Sequence, residues 1–68
     1  MKKEIIEALT KHAEGQIAKH VANVQVYMSN PAGVGEHSNI LETVEGELCS
    51  IAKYHDQLEI LQTYFIEE

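Results

Sequence analysis

The sequence predicts an all-α fold: an antiparallel two-helix hairpin that pairs with a second copy, as a homodimer, into a four-helix bundle. Three observations predict it. Apolar residues recur every three or four positions through both halves of the chain, which marks one face of a helix. Between the halves lies SNPAGVGEHSN, residues 29–39, with the chain's only proline and two of its four glycines. The apolar bands are also broader than a single helix–helix seam requires.

The first helix is expected over about residues 3–29. Ile5, Ile6, Leu9, Ala13, Ile17, Val21, Val24, Tyr27 and Met28 fall on one face. NVQVY alternates like a strand but is too short to outweigh the helical pattern around it. Pro31 cannot continue the helix and moves Asn30 out of the α region, so the stop falls near Ser29. Residues 30–38 then form an elbow. They are no phosphate loop: Gly33 and Gly35 follow a helix, lack a third glycine, and precede Glu36 rather than a lysine.

The second helix is expected over about residues 39–66. Ser38 or Asn39 supplies the N-cap, and Asn39 with Glu42 resembles a capping box. A heptad follows through Leu41, Val44, Leu48, Ile51, His55, Leu58, Gln62 and Phe65, flanked by Ile40, Ala52, Tyr54, Ile60, Leu61 and Tyr64. Folding back on the first helix, opposed residue numbers sum to about 68. That sets Val24 near Val44, Ile17 near Ile51, and Ala13 near His55.

All 68 residues form a single domain. A chain this short buries only about 60% of its unfolded surface and needs a staple or a partner. One cysteine, Cys49, rules out an internal disulfide; pairing of chains is the remedy left. A lone thiol and no apolar run of transmembrane length fit a cytoplasmic protein. The charge is uneven: residues 1–30 carry four lysines against three glutamates, and residues 31–68 one lysine against eight acids. With no arginine and no basic patch, neither nucleic acid nor an anionic membrane is an expected partner.

Few residues invite chemistry. In the hairpin His12 comes near His55 and Asp56, a reasonable ligand set for a divalent metal. The competing role is structural, with His55 and Gln62 as polar core positions that fix helix register. Cys49 sits among Glu45, Glu47 and Lys53, a mostly acidic setting that disfavours its thiolate, and it packs as a small helical residue. Ala8, Gly15, Ala22 and Ser29 recur every seven residues off the main band, either for close approach of another backbone or as tolerated surface. Residues 20–35 carry no Asp, Glu, Lys or Arg, and interface cores are depleted in such charges. Asn23, Gln25, Val26 and Ser29, beside Tyr27 and Met28, are therefore expected to face away from the seam and to meet a protein partner or the second subunit.

HAEGQIAKH in the first helix and NPAGVGEHSNILE through the elbow resemble small proteins of unknown function from marine T4-like tailed phages. The resemblance implies a product acting in the cytoplasm of an infected bacterium. It implies no reaction, cofactor or residue role. The expectation is a non-enzymatic, cofactor-free helical interaction protein, an adaptor or modulator of another protein. The alternatives are a small metal-binding protein using His12, His55 and Asp56, or an acidic mimic of nucleic acid.

Overall fold

The computed structural model describes residues 1–29 and 39–65. Helix α1 spans Lys2–Ser29 and helix α2 spans Ile40–Tyr64. The expected elbow, with Gly33, Gly35 and Ser38, and the last residue of the expected second helix lie outside the described residues.

Both ends of α2 show local hydrogen bonding. Asn39 is extended, with φ −80° and ψ 102°, and its Oδ1 accepts from the N–H groups of Leu41 at 3.0 Å and Glu42 at 3.2 Å. Two of the four donors that a helix start leaves unpaired are thereby satisfied. Glu42, in the same first turn, places negative charge at the positive end of the helix dipole. At the far end the N–H of Phe65 donates to the Leu61 carbonyl at 3.0 Å.

The helices pack side by side and antiparallel, in a rod with extents of 50 × 15 × 15 Å. His12 meets Tyr54, His20 and Asn23 meet Glu47, and Ile6 lines a groove with Leu61. The register is that of the expected hairpin.

The rotation of α2 is not. Leu41 is 79% exposed and Leu48 51%, and His55 and Gln62 are exposed as well. The half-buried residues are instead Ile40, Glu47, Tyr54 and Leu61, together with Val44, Ile51 and Leu58, and with Thr43 and Ser50 on the Glu47 side. His55 and Gln62 are thus not core residues and fix no register. Both sets are heptads, sharing Val44, Ile51 and Leu58 but taking opposite neighbours of them, and Phe65 of the expected set is exposed. The expected seam would desolvate two polar side chains, His55 and Gln62. The observed one brings in Glu47, which has two hydrogen-bond partners, with Thr43 and Ser50 half-buried beside it and the Ser50 hydroxyl donating to the Gly46 carbonyl. A buried polar group without partners costs about 1–3 kcal/mol, so the observed rotation wins.

On α1 the inward residues are Ile6, Thr10, Ala13, Gln16, Ile17, His20, Asn23, Val24 and Tyr27, while Ile5, Leu9, Val21 and Met28 of the expected face are exposed. Ala13, at 1% exposure, and Val24, at 9%, are the fully buried residues among those described. Ala13 lies level with the bulky Tyr54, where a larger side chain would push the helices apart. Ala13→Leu should therefore destabilise the fold by about 1–3 kcal/mol, the usual cost of overpacking. Ala8→Leu, on the exposed side of α1, should leave the urea midpoint nearly unchanged. Equal midpoints for the two variants, followed by circular dichroism, would remove Ala13 from the seam.

Candidate functional site

The most constrained polar group in the hairpin is Glu47, halfway between Ile40 and Tyr54 on the inward face of α2. His20 and Asn23, three apart on α1, stand over one helical turn, and both reach it. His20 Nδ1 lies 2.7 Å from Glu47 Oε1, and Asn23 Nδ2 donates to the same oxygen at 2.9 Å. A carboxylate only accepts, so the imidazole proton in this bond sits on Nδ1. The side chains are sheltered, with His20 15% and Glu47 19% exposed. The hydrogen bond from His20, and then that from Asn23, holds the Glu47 carboxyl below its ordinary value of 4.5.

This cluster was partly legible. His20 and Glu47 satisfy the expected register. What hid the pair was the rotation of α2, which had left Glu47 outside the seam as one of the acids around Cys49. Asn23 needs a correction for the same reason: it is half-buried against Glu47 and does not face away from the hairpin. Tyr27 is half-buried too, whereas Gln25, Val26, Met28 and Ser29 are exposed at the elbow end of α1.

The proposed metal ligands are not brought together. His12 stacks edge-on against Tyr54, with ring centroids 5.7 Å apart at 77°, and Lys53 Nζ lies 5.0 Å from the centroid of the same ring. Tyr54 thus occupies the place opposite His12 that the expected rotation had given to His55. His55 and Asp56 are exposed. No three His, Cys, Asp or Glu side chains among the described residues are gathered as a metal site would need. Cys49 is exposed and lies about 200° around α2 from Glu47, so the thiol and the His20–Glu47 pair do not share a face. Ala8, Gly15 and Ala22 are exposed, and the ideal Cβ position of Gly15 meets nothing within 4 Å.

The apolar surface is the larger feature. At the end where α1 begins and α2 closes, Ile5, Ile6, Leu9, Leu61 and Phe65 line an open groove of about 500 Å³. Toward the elbow, Val21, Met28, Leu41 and Leu48 are 37%, 67%, 79% and 51% exposed. No helix of the described residues is long and apolar enough to cross a membrane. Comparison with protein-family models, curated proteins and solved structures finds no match to the chain.

A depressed carboxyl value has a direct consequence for stability. The unfolded chain binds the Glu47 proton more readily, so the stabilisation is complete above the ordinary glutamate value of 4.5 and is lost as pH falls through the lower folded value. Glu47→Gln keeps an acceptor for both donors but cannot titrate. At fixed protein concentration it should melt lower than wild type at neutral pH, because its bonds lose their charge assistance. It should also lose less stability than wild type on acidification. Identical acid profiles for the two proteins would show that the His20–Glu47 bond does not form.

Proposed function

We propose that this chain is a non-enzymatic interaction protein that completes its core by pairing with a second copy and presents the resulting helical bundle to another protein. One observation carries the reading: the hairpin fully buries only Ala13 and Val24 among its described residues, while Leu9, Val21, Leu41 and Leu48 stay exposed. The shape supports it. The radius of gyration is 15.4 Å, against about 11 Å for a compact chain of this length. A rod of two helices has too little interior to offset the conformational entropy lost on folding, and a second rod alongside it supplies the missing burial.

The surface offered to another protein is the exposed, charge-free elbow end of α1, with Gln25, Val26 and Ser29 on its outer side. Val26 is 62% exposed. The resemblance to phage proteins supports a place of action in the cytoplasm of an infected bacterium.

Light scattering and circular dichroism at low micromolar concentration test self-association. The expected result is a helical dimer whose melting temperature rises with protein concentration. Leu48→Glu should give a monomer of reduced helicity, since a charge placed in an apolar contact without a partner costs about 3–5 kcal/mol. Ile60→Glu, on the opposite side of α2 from the seam, should leave the dimer intact. A cooperatively melting helical monomer of the wild-type protein would overturn the reading.

A further inference from the structure

We propose that the second copy docks on one particular flank of the hairpin, with both elbows at the same end and each α1 lying against the other copy's α2. The inference rests on the self-association proposed above and specifies its geometry.

The seam leaves the hairpin with two flanks. Contacts identify one of them: His12 and Asn23 reach over to Tyr54 and Glu47 there, and the groove of Ile5, Leu9 and Leu61 opens on the same side. The other flank carries the positions that follow the seam in the opposite rotational sense. Under the observed register they form rungs seven residues apart. From the elbow outward, Met28 stands level with Leu41, Val21 with Leu48, Glu14 with His55, and Glu7 with Gln62. All of these residues are exposed.

This ladder is apolar in its elbow half and polar in its outer half, which decides how it pairs with itself. Two-fold symmetry about an axis along the rod sets the elbows together and each α1 opposite the other copy's α2. Met28 then faces Leu41 of the second copy, and Val21 faces Leu48 of the second copy. Farther out, Glu14 faces His55 of the second copy, a carboxylate opposite a hydrogen-bond donor. Glu7 faces Gln62 of the second copy, again an acceptor opposite a donor. Two-fold symmetry about an axis across the rod reverses one copy. It would press Glu7 and Glu14 against Met28 and Val21, desolvating acids against apolar side chains with no partner. The same-end arrangement makes every neighbouring helix pair antiparallel, as in an up-down-up-down bundle.

Area agrees with this choice. The chain exposes 5363 Å², roughly 1,000 Å² more than the about 4,300 Å² of a compact monomer of its mass. A stable interface removes about 800 Å² from each partner, so one copy on one flank removes most of that excess. The groove on the other flank is a poor self-partner because two concavities set face to face enclose a void.

Cysteine crosslinking tests the geometry in chains whose own thiol is removed by Cys49→Ser. Chains carrying Met28→Cys, mixed with chains carrying Leu41→Cys, should form mixed disulfide dimers at least about tenfold faster than Met28→Cys chains mixed with Glu7→Cys chains, because a disulfide needs Cα atoms within about 7 Å. Both elbow positions are exposed in the single hairpin, so the substitutions leave its seam intact, and circular dichroism checks this. Faster bridging of Met28→Cys to Glu7→Cys would overturn the same-end arrangement. Equal rates for both mixtures, in a protein that light scattering finds dimeric, would overturn the flank while leaving self-association standing. A monomeric wild type would overturn both.

Discussion

The two hydrogen bonds that Glu47 accepts decide how the hairpin is wound. A carboxylate drawn between two helices is tolerated only where donors meet it, and His20 and Asn23 supply them from one turn of α1. Once Glu47 is fixed, α2 has no rotational freedom left. Ile40, Tyr54 and Leu61 must turn inward with it, and Leu41, Leu48, His55 and Gln62 must turn out. An apolar residue at position 47 would make the two rotations closer in energy, because nothing on α1 would select between them. Glu47 thus contributes specificity more than burial, the role a single polar position plays in fixing coiled-coil register.

Much of the architecture was legible in the residues themselves. Pro31 marked the end of α1, and the steps of three and four placed Ile6, Ala13, Ile17, Val24 and Tyr27 inward, although Ile5, Leu9, Val21 and Met28 of the same band stay exposed. Ser38 or Asn39 was expected to cap the start of α2, and the Asn39 side chain does so. The register followed from the hairpin's geometry alone. What the pattern could not resolve was which of two interleaved heptads faces inward, because Val44, Ile51 and Leu58 belong to both. Hydrophobicity favoured Leu41 and Leu48 over Ile40 and Glu47. The deciding contribution was a long-range pair across the hairpin, and no periodicity within one helix reports it. The same shift by one residue dissolved the proposed ligand set, replacing His55 by Tyr54 opposite His12.

That outcome also separates two meanings of a wide apolar band. Read along α2, Ile40 and Leu61 beside Leu41 and Leu48 look like one broad stripe. In the fold they are two surfaces, one satisfied within the chain and one left open. The breadth of the band, more than its mean hydropathy, therefore supports the view that the folded hairpin still has a face to cover.

Length turns this into a constraint on folding itself. With Ala13 and Val24 as the fully buried residues described, a single hairpin gains little of the burial that offsets about 1–2 kcal/mol of backbone entropy per residue. Under the proposed pairing, stability would vary with protein concentration, and dilution would both dissociate the copies and loosen the helices. Glu47 matters again at this level. By holding Leu41 and Leu48 outward, it keeps them in line with Val21 and Met28 on a common flank. An α2 rotated to the other heptad would bury those leucines within one chain and spend the face that a second copy needs. The intrachain polar contact and the open apolar flank are in this sense one feature: the first sets the rotation, and the rotation creates the second.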